Sequence, residues 1–256
     1  MPENSSNIKP TISIHLFNDG FFFSAFAESN YYEFEDLNLL TNKGFDDFVR
    51  MNGFNQDHEP RILLFDNPSM FIPSLLFDID DSEEYLSNYT SLKFNHEIVH
   101  ETTEDGQIEI IYQRNNKVNS IFENFFKKVS FRHYSTILYN NLNEHIKSNF
   151  DNGIKLFVHL QKNQFDLFLF KKNRLLIYNC FPHSNNDDFL YYLFALVEQY
   201  DLSPSAFEII FLGKFDYFKT YYLTLEGFHE KISFIKKNAE IRGNESHPAP
   251  YFSKFL

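Results

Sequence analysis

The residues best suited to phosphate chemistry lie in a turn near the start of the chain, Asn18-Asp19-Gly20. A phosphate-binding turn keeps small residues, because its backbone amides must approach the phosphate oxygens closely. It also carries a carboxylate that holds a metal-bound water. Asp19 and Gly20 have the required types, but bulky Phe21 and Phe22 follow them. A tight hairpin turn explains Asn-Asp-Gly equally well.

Three later residues complete the set of candidates for a ligand-binding cleft between two halves of the protein. Lys162 and Asn163 lie in a turn, Gln161–Gln164, that contains neither glycine nor a carboxylate. Lys162 attracts anions but cannot anchor magnesium. Gly213, in Leu212-Gly213-Lys214, stands where an adenosine site would have paired glycines. These departures from the residues of a phosphate-binding and adenosine-binding site predict that ATP hydrolysis is absent. We therefore assign no catalytic residue, no cofactor and no metal ligand.

The other polar clusters have structural explanations. One cluster that could offer carboxylates to a metal is Asp80-Asp81-Ser82-Glu83-Glu84. Acidic residues also stabilise the N-terminus of a helix, which explains this cluster and the pair Asp187-Asp188. His133, between Arg132 and Tyr134, is either catalytic or a hydrogen-bonded histidine where two halves meet. Cys180 lies in an apolar run and is expected to be buried. The sequence has no Walker loop, nucleophile elbow or Cys/His metal spacing.

Composition excludes several classes of function. The chain has 256 residues, including 33 Phe and 15 Tyr, an excess that we attribute to codon bias. A net charge of −12 argues against nucleic-acid binding, which needs clustered Lys and Arg. The single cysteine indicates a reducing compartment. We find no secretory signal and no apolar run of the ~20 residues that a membrane span requires. We therefore expect a cytoplasmic protein.

Alternation and turn signals indicate that one order of elements occurs twice. Near the start it comprises three strands, a helix and a strand: Thr11–Phe17, Phe21–Ala27, Tyr31–Phe34, Leu37–Met51 and Arg61–Phe65. After residue 150 the same order returns: Lys155–Leu160, Phe165–Phe170, Arg174–Phe181, Asp187–Tyr200 and Phe207–Leu212. This predicts an α/β protein with a duplicated actin-like (ribonuclease H-like) ATPase fold. We expect a mixed sheet in each half, with an antiparallel meander and the post-helix strand added in parallel.

The predicted organisation has four parts. They are a flexible N-terminus (1–10), a first half (11–150) with an inserted subdomain at about 80–132, a second half (151–235) and a loose polar tail (236–256). Within the insertion, His96–Glu101 and Gln107–Arg114 form a hairpin around Glu104-Asp105-Gly106. In the second half, Ser184 and Asp187 resemble a capping box. Phe189, Leu193, Leu196 and Tyr200 form the buried face of the following helix.

The sequence resembles an uncharacterised domain-of-unknown-function family from Bacteroidota with an actin-like ATPase fold. The matching stretches are Thr11–Ser24, Val118–Phe122, Phe131–Ser135, Val158–Leu160, Phe165–Leu167, Leu176–Phe181, Asp187–Tyr192 and Leu212–Lys214. The resemblance implies a bacterial protein and a fold. It carries over no functional residue.

Three functions remain open. The favoured one is a catalytically inert actin-like binding or scaffold protein with an unknown protein partner. The second is a divergent ATPase or kinase that uses Asp19 and an unrecognised second carboxylate. The third is a small-molecule receptor with its ligand in the cleft between the halves.

Overall fold

The computed structural model of the protein describes residues 12–25, 28–33, 37–149, 152–235 and 247–255. The chain divides into two compact units between Asn141 and Leu142, and each unit contains its own five-stranded sheet. Over the described residues, every helix is too short or too polar to cross a membrane. The predicted flexible N-terminus (1–10) lies outside the described residues.

The first unit contains a main sheet, a smaller sheet and the helices that pack on them. Its elements in chain order are β1 (Ser13–Phe17), β2 (Gly20–Ala25), β3 (Glu28–Glu33), α1 (Asn42–Met51), β4 (Arg61–Leu64), β5 (Ser69–Pro73), α2 (Ser82–Ser87), β6 (His96–Thr102), β7 (Ile108–Asn115), α3 (Asn116–Phe125), β8 (Ser130–His133) and α4 (Tyr134–Ser148). The division between the units falls within α4.

The main sheet of the first unit has the order β3-β2-β1-β4-β8. The first three strands form an antiparallel meander, and β4 and β8 are added in parallel. Phe17 pairs with Gly20, so the tight turn consists of Asn18 and Asp19. Phe21, Phe22 and Phe23 are all buried. Their lack of alternation therefore reflects a strand that is covered on both faces.

Helix α1 begins later than the predicted start at Leu37. Thr41 is the N-cap, and its Oγ1 accepts a hydrogen bond of 3.1 Å from the Gly44 amide. A cap of this kind satisfies an amide that has no partner inside the helix. Leu37–Leu39 forms a separate 3-10 turn before the cap. Phe45 and Phe48 of α1 are buried in one hydrophobic cluster with side chains of the main sheet and α3.

The additional sheet of the first unit has the order β5-β7-β6. Its β6–β7 hairpin agrees with the sequence prediction. The sheet begins at Ser69, before the predicted start of the insertion at about 80. The sequence did not indicate β5, because this strand pairs with the distant β7 and has no local hairpin signal. Strand β8 lies inside the predicted insertion but pairs with β4 in the main sheet. Leu86 of α2 packs against Ile72 and Ile111.

The second unit repeats the plan of the first main sheet. Its elements are β9 (Ile154–Leu160), β10 (Gln164–Lys171), β11 (Arg174–Pro182), α5 (Asn186–Gln199), β12 (Phe207–Phe211), α6 (Lys219–Glu226) and β13 (Ile232–Phe234). The strand order is β11-β10-β9-β12-β13, with an antiparallel meander and two parallel additions. The predicted duplication is confirmed, because both sheets have the same order and the same strand directions.

The cap of α5 differs from the predicted one. Asn185, not Ser184, is the N-cap, and its Oδ1 accepts hydrogen bonds of 2.9 Å from the Asp187 and Asp188 amides. Asp188 Oδ2 accepts a 2.8 Å bond from the Ser184 amide in return. The asparagine carbonyl therefore fills the role that the pattern assigned to a serine hydroxyl. The two aspartates stabilise a helix end, as expected.

The buried face of α5 consists of Phe189, Leu193 and Leu196. Tyr200, predicted on the same face, is instead the half-buried C-cap, because α5 ends at Gln199.

The end of the chain is packed, which corrects the prediction of a loose polar tail for this part. Pro250–Phe255 forms a 3-10 helix, and Ala249, Tyr251 and Phe252 are buried in the second unit. The prediction relied on average polarity and the two prolines, neither of which reports on contacts with distant strands. Residues 236–246 of the predicted tail lie outside the described residues.

Candidate functional site

The first turn is held by other groups of its own unit. Tyr31 Oη donates a 2.6 Å hydrogen bond to Asp19 Oδ1. The Asn18 amide donates to Asp66 Oδ2 at 2.9 Å, and the Asn18 carbonyl accepts from the Leu37 amide at 2.8 Å. Burial raises the pKa of Tyr31, and its hydrogen bond to Asp19 raises it further. The tyrosine is therefore a neutral donor that satisfies the Asp19 carboxylate.

Phe21 and Phe22 do not crowd this turn. Both belong to β2 and are completely buried. Phe21 packs edge-to-face on Phe48 with the ring centroids 4.5 Å apart, and Phe22 lies 6.2 Å from Tyr31. The bulk of these two residues therefore does not fill the turn, because the strand begins at Gly20 and both rings are buried.

A small polar cavity lies beside the first turn. It has a volume of about 20 Å³, and Asn18, Asn67 and Asn119 contribute to its lining. Asn119 is 3% exposed, and its Nδ2 has no hydrogen-bond partner among the described residues. A cavity of this volume accommodates one water molecule. The sequence pattern did not single out Asn119 as a polar group, because it lies beside the apolar stripe of α3.

The second turn is covered by the end of the chain. The Lys162 amide donates a 2.7 Å hydrogen bond to the Pro248 carbonyl. The Asn163 carbonyl accepts from the His183 amide at 3.1 Å. The Gln161 carbonyl accepts a 2.9 Å bond from His183 Nε2. Backbone groups of the turn are thus bound by protein, as in the first turn.

A buried polar cluster lies beneath the second turn. Asp166 Oδ2 accepts hydrogen bonds from His159 Nδ1 at 2.8 Å and from Gln161 Nε2 at 2.9 Å. Tyr178 Oη donates to Asp166 Oδ1 at 3.0 Å. The sequence patterns did not indicate this cluster. The signal was available in the hairpin register, since His159 and Asp166 are directly paired across β9 and β10.

His183 connects this region to α6. Its Nδ1 accepts from Tyr221 Oη at 2.9 Å, while its Nε2 donates to the Gln161 carbonyl. Burial lowers the pKa of His183, which favours the neutral ring that this pair of bonds requires. The geometry describes a structural histidine that positions the second turn.

Gly213 is required by packing. Its φ of +90° is in the region that favours glycine, and a Cβ at this position would lie 2.7 Å from Phe215 Cε2. The Phe215 ring is buried, and it covers the Gly213 α-carbon. The ring therefore fills the space that a side chain at position 213 would need.

The remaining candidates have structural partners. His133 is buried, with Nδ1 2.6 Å from Ser135 Oγ and Nε2 2.9 Å from the Asn67 carbonyl, so its bonds lie within the first unit. Glu83 and Glu84 lie in the first turn of α2, as expected for helix-end residues. Cys180 is only half-buried, which corrects the prediction of a buried cysteine, because β11 is the edge strand of its sheet. Across the described ranges, no group of three His, Cys, Asp or Glu residues could hold a metal ion.

Comparison with solved structures shows the fold. A Bacteroides thetaiotaomicron VPI-5482 protein with an actin-like ATPase fold and unknown function superposes with a TM-score of 0.73 at 20% identity, covering 92% of this chain and 94% of that chain. The type IV pilus biogenesis complex PilM–PilN superposes with a TM-score of 0.54 at 10% identity, covering 95% of each chain. A search of curated proteins found no match.

The family comparison covers most of the chain. Residues 11–232 match the family described as Protein of unknown function (DUF3822). This range includes both five-stranded sheets except for the last residues of β13. The resemblance predicted from the sequence is thereby confirmed. The chain belongs to the DUF3822 family, whose function is unknown, and it has an actin-like ATPase fold.

Proposed function

We propose that this protein is an actin-like binding or scaffold protein that does not hydrolyse nucleotide. One observation carries the proposal: in each unit, an amide of the turn that would approach a phosphate donates to another part of the protein. The Asn18 amide binds the Asp66 carboxylate, and the Lys162 amide binds the Pro248 carbonyl. A phosphate oxygen would have to displace these acceptors before it could bind the same amides.

The ring of Phe215 over Gly213 supports the same proposal, because it packs against the glycine in the loop directly after β12. The PilM–PilN structure is a complex of an actin-like protein with a protein partner. We infer by analogy that the present protein also acts by binding a protein. Its single cysteine supports a reducing compartment, and we infer the bacterial cytoplasm.

A divergent ATPase is the second candidate, and the position of Asp66 favours it. Asp66 follows β4 and binds the first turn through the Asn18 amide. Asp19 follows Asn18 directly and accepts a 2.6 Å bond from Tyr31, so both carboxylates belong to the surroundings of the first turn. Asp66 is thus the second carboxylate that a divergent ATPase would need beside Asp19.

Thermal unfolding with nucleotide separates the two candidates. A ligand at a hundred times its dissociation constant adds about 2.7 kcal/mol to the free energy of unfolding. We expect no upward shift of the melting temperature with ATP and magnesium. A shift that disappears in both Asp19→Ala and Asp66→Ala would favour the ATPase. Cross-linking in native cells, followed by mass spectrometry, then identifies the protein partner that the scaffold proposal requires.

A further inference from the structure

Three large apolar side chains of the inserted region face solvent. Leu75 is 98% exposed, Leu76 is 72% exposed and Ile79 is 61% exposed. They lie within five consecutive positions, which we call the 75–79 patch. Single exposed apolar residues are ordinary, whereas a cluster rimmed by polar residues is typical of an interaction site.

The exposure of the patch is a property of an ordered backbone. The Ser74 amide donates to the Gln107 carbonyl at 2.9 Å, which joins the start of the segment to the additional sheet. Tyr85 Oη donates to the Leu76 carbonyl at 3.2 Å and accepts from the Asp78 amide at 3.3 Å. Phe77 packs inward, with its ring 5.1 Å from that of His100. With Phe77 turned inward, its neighbours Leu75 and Leu76 remain outside.

The rim of the patch is acidic. Five exposed carboxylates follow or interrupt the apolar residues: Asp78, Asp80, Asp81, Glu83 and Glu84. None of them forms a salt bridge within the described parts of the chain. No Lys or Arg occurs between positions 74 and 92. The charge of this rim is therefore not neutralised by neighbouring side chains.

We propose that the 75–79 patch binds a basic amphipathic segment of a partner protein. This inference rests on the proposed binding function and names the surface that performs it. Apolar side chains of the partner would cover Leu75, Leu76 and Ile79, and flanking Lys or Arg would meet the acidic rim. Contact between the same patch on two copies is disfavoured, because it would bring two rims of five carboxylates together.

The test uses a fluorescent synthetic helix of leucine and lysine in amphipathic spacing as the probe. We expect it to bind the whole protein, and binding should weaken about tenfold in the triple variant Leu75→Ser/Leu76→Ser/Ile79→Ser. The double variant Asp80→Lys/Asp81→Lys should also weaken binding and remove much of its salt dependence. The matched control Leu223→Ser/Phe228→Ser changes exposed apolar residues of the second unit and should bind as the wild type does.

Several outcomes would overturn the inference. One is equal binding by wild type and triple variant when circular dichroism shows both to be folded. Another is that the wild type binds a leucine–glutamate helix as tightly as it binds the leucine–lysine helix. Self-association that sedimentation velocity detects in the wild type, and not in the triple variant, would assign the patch to a second copy. A native partner that cross-links equally to the triple variant would leave the proposed function standing and reject only this surface.

Discussion

The protein satisfies its own polar groups, as Asp166, Asn18 and Lys162 show. Asp166 accepts hydrogen bonds from His159, Gln161 and Tyr178. The two turn amides donate to a carboxylate and to a carbonyl of the same unit. Asp166 is fully buried, and a buried polar group is costly unless it is paired, so its three bonds belong to the stability of the fold. Groups with that role are not available to a ligand without a conformational change.

Gly213→Ala should destabilise the protein through both backbone strain and contact with Phe215. We expect a loss of about 1–3 kcal/mol beyond that of Gly53→Ala, in which the added methyl meets nothing within 4 Å. Both glycines have positive φ, so the control carries the conformational strain without the clash. Urea melts measure the difference. Equal losses in the two variants would show that Phe215 does not require a glycine.

His247 should make stability depend on pH. Burial lowers its pKa to about 3, and nearby His159 also disfavours the charged ring. The unfolded chain, with an ordinary histidine pKa near 6.5, binds this proton more readily than the native protein does. The stabilising contribution of His247 is therefore complete above about pH 6.5 and is lost as the pH falls toward about 3.

The corresponding measurement compares urea melts of wild type and His247→Gln. Between about pH 7.5 and pH 5.5 the wild type should lose roughly 1 kcal/mol more stability than the variant does. His159, Asp166 and Tyr251 are also titratable groups of this region and remain in both proteins. A steeper loss in the variant would contradict the burial of a neutral His247.

Helix α5 and the C-terminal segment 247–255 are the elements that support the second turn. Phe189 of α5 packs against Phe165 and Tyr221, so it joins the sheet to α6. The C-terminal segment supplies the Pro248 carbonyl and places Tyr251 and Phe252 beside His159, with ring centroids 5.7 and 5.3 Å apart. Both elements contribute mainly by burying large apolar side chains.

Truncation of the buried face of α5 should be costly. Phe189→Ala and Leu193→Ala should each lower the free energy of unfolding by about 2–5 kcal/mol, because both side chains are fully buried. Tyr191→Ala is the control on the same helix, since this side chain is 69% exposed and should cost within about 0.5 kcal/mol. Denaturant melts that fail to separate the two faces would reject the orientation of α5.

Loss of the C-terminal packing should expose the second turn. Phe252→Ala removes a buried ring and should cost about 3–5 kcal/mol, whereas Phe228→Ala, at an exposed position of the same unit, should cost much less. Hydrogen exchange followed by NMR should show faster exchange of the Lys162 amide in Phe252→Ala. Unchanged exchange at Lys162 would mean that Pro248 does not protect this amide.

The sequence predicted the parts of the fold that depend on local patterns. Turns and alternation identified both meanders, and the spacing of Phe189, Leu193 and Leu196 identified the buried face of α5. The start of α1 and the cap of α5 were missed because Thr41 and Asn185 were not recognised as caps. Strand β5 and the C-terminal segment depend on contacts distant in sequence, which no local window reports.

The two units of the molecule have the same sheet order. In each unit, a different protein group accepts a hydrogen bond from an amide of the first turn of the meander. The actin-like ATPase fold is what this chain shares with the Bacteroides thetaiotaomicron protein. The acceptors at the two turns differ: a carboxylate after β4 in the first unit, and a carbonyl near the C-terminus in the second. We propose that this actin-like ATPase fold works here without nucleotide.

Isothermal titration of the whole protein with ATP and magnesium tests this proposal. We predict no saturable heat at millimolar nucleotide, because phosphoryl-transfer sites need amides and a metal in fixed positions. Asp19→Ala and Asp66→Ala should give the same flat titration. A dissociation constant below about 100 μM for the wild type, lost in both variants, would contradict the account and establish a nucleotide site at the first turn.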